Sequence, residues 1–324
     1  MDALLFSIQA LMPLLLLALL GAFLVKVHIL NDHFADQMNR YIFYVALPVA
    51  IFLSLARSDL LETINFSVIG FIIGIFLLTT LIGYLIVNLT PFEKAKKAVL
   101  MQAVFRGNFV IIGLPLAERL GGANAVTYLV IANAFILPLT NTLSIFAFKW
   151  FKDKDSVKES LSHFLKKTFL NPIMLSIYLG ISFFFLKILS GLNLNQIPFV
   201  EDTLTMINQT LTPLALIAIG AKIKLSRLKL NQSEILVSVG LRMSMVPVVA
   251  FSLVYLFRNL FNFGDAYITM IALFASPVAI ASVAVTKGLN GDDEFASQVV
   301  IATTICAVVT LFIAITLFKS LGLI

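Results

Sequence analysis

A cation, an amide, two glycines and a helix-breaking proline fall within ten consecutive residues, Arg106 to Pro115, read R-G-N-F-V-I-I-G-L-P. The stretch around them is otherwise apolar. The Arg106 guanidinium and the Asn108 amide donate hydrogen bonds, and free N–H groups at the start of a helix add partial positive charge. That set suits the binding of a carboxylate. Gly107 and Gly113 relax the backbone, and Pro115 removes a donor and frees a carbonyl upstream. In lipid, a broken backbone is tolerated only where it lines a cavity or is buried in protein. The expected element is therefore a discontinuous helix at a substrate site. A second interruption follows at Pro277, in F-A-S-P-V-A-I-A-S, flanked by Ser276 and Ser282. Paired interruptions at matching places in two halves of a chain point to a transporter site. The plainer readings are a proline-kinked helix with Arg106 snorkelling to one face, and small-residue packing around Pro277.

The remaining polar residues narrow the chemistry. Asp2, Glu118, Glu201, Asp202, Glu234 and Asp265 sit at segment edges. That argues against a deep carboxylate relay for protons and against a carboxylate-based sodium site. Sodium sites made of backbone and hydroxyl oxygens stay open. His28, His33 and His163 fall in loops, and the single cysteine, Cys306, is in an apolar segment. No intramembrane catalytic pair, metal site or cofactor is expected, and the chain is read as a non-enzyme. Asn133, in the fifth apolar segment, is either glue between helices or a substrate contact. Arg242 is expected to snorkel or to pair with loop groups.

These residues need elements to position them. The chain has 324 residues, 60% of them hydrophobic and 12% charged, against about 25% charged in soluble domains. Mean hydropathy is +1.01. The expected class is an all-α membrane protein. Ten segments are long enough to span at roughly 20 apolar residues each, the fourth being Ala98–Leu116 and the ninth Ala266–Thr286. The first is read as a retained helix, because only Asp2 precedes it where a signal peptide would be basic. Lysines and arginines alternate strongly between connections, sixteen on one side against five on the other. By the positive-inside rule the loop at 150–167 is cytoplasmic and both termini are outside, in the cell membrane. The basic balance points to anionic lipid rather than nucleic acid. That loop divides the chain into 1–149 and 168–324, five segments each. Five is odd, so the second half is inserted upside down, giving two inverted five-helix repeats. Pro48 and Pro213 in the second helix of each half, and Pro115 and Pro277 in the fourth, carry most of that argument.

At these residues the sequence resembles the auxin efflux carrier family, which includes plant PIN-type exporters and bacterial malate and malonate permease-like proteins. M-N-R-Y-I-F-Y-V-A-L-P at Met38–Pro48 is similar to the family's second helix. Asn108, seven residues before Pro115, matches its fourth, and Pro277 with Lys287 ten residues on matches its ninth. The resemblance implies that broken helices 4 and 9 cross at the prolines. It implies a scaffold of helices 1, 2, 6 and 7 and a transport domain of helices 3–5 and 8–10. It further implies a substrate carboxylate held at Asn108 and elevator-type movement. The sequence departs from plant members in its short central loop and in Ser282, where they have a second proline.

The expected function is a carrier of small organic anions, dicarboxylates such as malate first. Asn108, Asn133, Ser276 and Ser282 are the substrate contacts, Gly107, Gly113, Pro115 and Pro277 the break, and Arg106 the nearby charge. The bilayer and a second copy of the chain are the candidate partners. A sodium-coupled symporter of the bile-acid type and an anion channel are the alternatives.

Overall fold

The computed structural model describes residues 2–151, 166, 168–223 and 233–324. Most of the central loop, His163, and Lys224, Arg227 and Lys229 lie outside the described residues. The elements are helices α1 (Asp2–Lys26), α2 (Asp32–Arg57), α3 (Phe66–Leu89), α4 (Lys94–Phe105), α5 (Phe109–Phe151), α6 (Pro172–Ser190), α7 (Pro198–Lys222), α8 (Ser233–Leu256), α9 (Ala266–Phe274), α10 (Ala281–Gly288) and α11 (Asp293–Ser320). Among the described residues the only extended pairing is one antiparallel bridge, Gly107 with Val278.

Eight of these helices are long and apolar enough to cross a membrane. The shortfall from the ten expected segments has a local cause. The fourth segment is split, and its second part continues into the fifth as α5. A 43-residue helix would be roughly 65 Å long, twice the hydrocarbon thickness of about 30 Å. Gly122 interrupts it, with φ 61° and ψ −149°, a conformation that costs glycine little and other residues much. The ninth segment is split into α9 and α10, of 9 and 8 residues, neither of which reaches across alone.

Three prolines share one device. Wide π-helical turns at Ile42–Ala46, Phe109–Gly113 and Gly240–Met245 each end two residues before a proline, namely Pro48, Pro115 and Pro247. A proline ring clashes with the carbonyl four residues upstream and offers it no N–H. A wider turn moves that carbonyl aside, and such turns gather at functional sites. Pro213, expected to mirror Pro48, sits inside the regular helix α7, so the two prolines do not share this geometry.

The helices bury a continuous apolar core and leave large apolar side chains outward, such as Leu16, Leu19, Leu85 and Val309. In lipid that outward face costs nothing. α1 crosses α7 closely. A Cβ at Gly21 would meet the backbone of Ile217, and one at Gly220 the backbone of Ala18. α2 packs chiefly on α6 and α7, and α9 on α5.

Candidate functional site

The two interruptions lie against each other. α4 ends at Phe105 and α9 at Phe274, and each is followed by a short non-helical link. The Asn108 N–H donates to the Pro277 carbonyl at 2.7 Å, and the Ala279 N–H to the Arg106 carbonyl at 2.9 Å. Pro277 fits this pairing because only its carbonyl is needed. The next N–H, of Val278, donates to Thr303 Oγ1 of α11 at 3.2 Å. Ala275 and Ser276 are fully buried, and their small size lets the two backbones approach.

A Cβ at Gly107 would point at Arg242 and Ser276, whereas Arg106 and Asn108 line a cavity with other residues. Arg242, against Gly107, is 2% exposed. Its Nη1 donates to the Val104 carbonyl at 2.9 Å, and Nη2 to the Leu273 carbonyl at 2.8 Å. Nε donates to the Ser276 carbonyl at 2.8 Å, and Nη2 also to Ser276 Oγ at 3.1 Å. Val104 and Leu273 belong to the last turns of α4 and α9, where carbonyls lack intrahelical partners and the helix dipoles are negative. The π-helical turn at Gly240–Met245 carries Arg242 into this position. A Cβ at Gly107 would collide with the guanidinium, which is why the residue between Arg106 and Asn108 is glycine. The snorkelling or loop-paired Arg242 expected from sequence is thus replaced by a buried one bound to both breaks.

The cavity that Arg106 and Asn108 line is of about 430 Å³, between α2, α5, the start of α6 and α10. Arg106 does not snorkel: it is 7% exposed, and Asn108 4%. Arg106 Nη1 donates to Asn141 Oδ1 at 2.9 Å and to Ser144 Oγ at 3.2 Å. Asn141 Nδ2 donates in turn to Thr168 Oγ1 at 3.0 Å. Arg106 Nε and Asn108 Nδ2 are buried donors with no hydrogen-bond partner among the described residues. Among the described residues no carboxylate lines the cavity. A second cavity, of about 560 Å³, shares Phe43, Ile111 and Ala281 with the first. It extends past Asp36 and Lys222, which form an ion pair, so both cavities lie toward the lysine-rich end.

Of the residues expected at the site, Arg106, Gly107 and Asn108 line the first cavity. Ser276 lies behind them, held by Arg242. Ser282 is 2% exposed, next to the cavity-lining Ala281, and its Oγ has no partner. Asn133 is 3% exposed with an unpartnered Oδ1, but it does not line the cavity. Gly113 packs against α9, where a Cβ would meet that of Ala272 at 3.1 Å. Pro115 follows the π-helical turn, and Pro277 sits in the non-helical link. Sequence reasoning missed Thr140, Ser144, Thr168 and Asn171 as polar surroundings of this cavity. Thr140, Asn141 and Ser144 do share a helix face by spacing, which was the available signal.

The chain matches the family model described as membrane transport protein over residues 6–315. It is 26% identical over 249 residues to an uncharacterized transporter of Methanocaldococcus jannaschii, covering 74% of this chain and 76% of that protein. It is also 25% identical over 310 residues to an uncharacterized transporter of Methanothermobacter thermautotrophicus, covering 94% and 96%.

Proposed function

This chain belongs to the membrane transport protein family, that of the auxin efflux carriers, and on that premise we propose that it carries small organic anions, dicarboxylates such as malate first. One observation carries the reading. Two buried donors, Arg106 Nε and Asn108 Nδ2, stand unpaired among the described residues, beside a cavity whose described lining holds no carboxylate. An uncompensated buried cation costs several kcal/mol, and an anionic substrate is the partner that offsets it. The N-termini of α5 and α10 also begin at this break, adding partial positive charge. Asn108 takes the carboxylate, Arg106 supplies the charge, and the orphan Ser282 hydroxyl next to Ala281 is a further contact, while Asn133 lies off the cavity.

In this reading the split fourth and ninth segments each count as one crossing, giving ten crossings in two inverted repeats. The lysine-rich end is cytoplasmic, both termini are outside, and the cavities open inward. Helices α1, α2, α6 and α7 form the scaffold, and the others move against it. The ion pairs support that division. Arg57–Glu201, Lys187–Asp59 and Lys222–Asp36 lie within the scaffold, and Lys96–Glu234 within the moving part. Among the described residues no ion pair crosses between them. The bonds that do cross are neutral or single, such as Ser54 Oγ to Thr127 Oγ1 at 2.8 Å and Thr316 Oγ1 to Ser7 Oγ at 2.8 Å.

Flux into proteoliposomes over a panel of mono- and dicarboxylates, with and without membrane potential, tests the reading. Asn108→Ala is expected to fold and to lose at least ~90% of the transport, about 1.4 kcal/mol of binding or more. Normal transport by that variant would refute the assigned site.

A further inference from the structure

In carriers built on broken helices, the C-terminal ends of half-helices and unwound carbonyls form the seat of a coupling cation. Such a seat is present here. The Val104, Leu273 and Ser276 carbonyls converge with Ser276 Oγ at the ends of α4 and α9, and all four oxygens accept from Arg242. The group in the seat is a guanidinium on α8, delivered through a π-helical turn and 2% exposed. We infer that Arg242 is a tethered cation that occupies this seat permanently, so that anion transport by this protein needs no sodium at the break.

Three features support this beyond the contacts themselves. Arg242 has no acidic partner among its hydrogen bonds, so its charge is met by the two helix ends alone. The four donations run to two separately broken helices, so the guanidinium joins them as a coordinated ion would. The seat is also closed on its cavity side. Gly107 lies directly against the guanidinium, and the gap admits no Cβ without collision with Nη2. A soluble ion would have to displace the arginine to bind. Arg242 is on this account a positioning residue. It touches no substrate and holds Arg106 and Asn108 at their places by fixing the backbone between them.

The test has two arms, and the first rests on the transport reading above. Uptake of labelled malate by wild-type proteoliposomes is measured in sodium chloride and in choline chloride at equal ionic strength. Equal rates are expected, and a sodium requirement would overturn the inference. Arg242→Lys, which keeps the charge, is expected to retain uptake that is equal in the two salts; a sodium requirement acquired by this variant also counts against it. The second arm needs no substrate, so it stands even if no carboxylate is carried. Thermal midpoints of detergent-purified wild type, Arg242→Lys and Arg242→Ala are compared in choline, sodium and low guanidinium. Wild type is expected to respond to none of them. Arg242→Ala is expected to melt lower in choline and to be raised by sodium or guanidinium, a recovery that lost packing alone would not give. A wild type raised by sodium, or an alanine variant unmoved by either cation, refutes the tethered cation. Should Arg242→Ala not fold, the wild-type and lysine midpoints in sodium against choline decide by the same criterion.

Discussion

Gly107→Ala is the sharpest perturbation the break allows, because one methyl group should act on both interrupted helices at once. A Cβ at this position would lie 2.9 Å from Arg242 Cζ and 2.8 Å from Ser276 Oγ, and closer still to Arg242 Nη2. Carbon contacts are comfortable from about 3.5 Å, so the guanidinium must retreat by about an ångström. Nη2 donates to the Leu273 carbonyl at 2.8 Å and to Ser276 Oγ at 3.1 Å, and both bonds would stretch beyond range. Hydrogen bonds from a charged donor contribute about 1.5–3 kcal/mol each, so the variant should lose roughly 3–6 kcal/mol. Unfolding by denaturing detergent in mixed micelles measures this. The mechanism is isolated by a double-mutant cycle. With Arg242→Ala already present, the added methyl meets only Ser276 Oγ, a terminal atom that can rotate away once Arg242 no longer holds it, and should cost less than about 1 kcal/mol. A Gly107→Ala protein as stable as wild type, or a cost that persists unchanged without Arg242, would refute the account.

Other consequences follow from the same geometry. Arg106→Gln keeps most of the volume and loses the charge, and is expected to cut transport of dicarboxylates at least about tenfold, or 1.4 kcal/mol; unchanged flux would show that the substrate does not sense this charge. Ser54 and Thr127 hydroxyls meet across the proposed boundary at 2.8 Å. In a background without Cys306, Ser54→Cys with Thr127→Cys should form a disulfide that arrests transport until it is reduced. Full flux by the oxidised pair would argue against relative movement there.

Much of this arrangement was legible in the sequence, because membranes enforce simple rules. Segment length, the lysine alternation and the two prolines in apolar surroundings each follow from single residues read locally. Arg106, Gly107, Asn108 and Pro277 were picked out because charge, amide and breakers have no place in a plain span. What stayed hidden depends on partners far apart in the chain. Asn141 and Ser144 are recognisable as polar, but only the packing of α5 against the break makes them acceptors for Arg106. The distance from Arg242 to Val104 is 138 residues along the chain, and no local pattern links them. Pro48, Pro115 and Pro247 follow wide turns while Pro213 sits inside a regular helix, a local difference that the positions of the prolines in the sequence do not reveal.

The two buried arginines show why residue type alone could not assign their roles. In sequence they are equivalent: each lies inside an apolar segment with no acid nearby, and snorkelling is the cheapest account of either. The structure separates them by the number of acceptors. Arg242 makes four bonds, three of them to backbone carbonyls freed by the breaks, and leaves none of its nitrogens without a partner. Its charge is spent on the protein. Arg106 makes two bonds through a single nitrogen to neutral groups and leaves Nε unpaired. Its charge is still available. Gly107, next to Arg106 in the chain, lies against Arg242 of α8, while Arg106 and Asn108 line the cavity. On the proposed reading, the interruption is held from behind by Arg242 and takes its anion in front. A substitution behind should change stability and transport together, and one in front should change transport with little loss of stability. That contrast, measured on Arg242 and Arg106 in the same preparation, tests the division of labour directly.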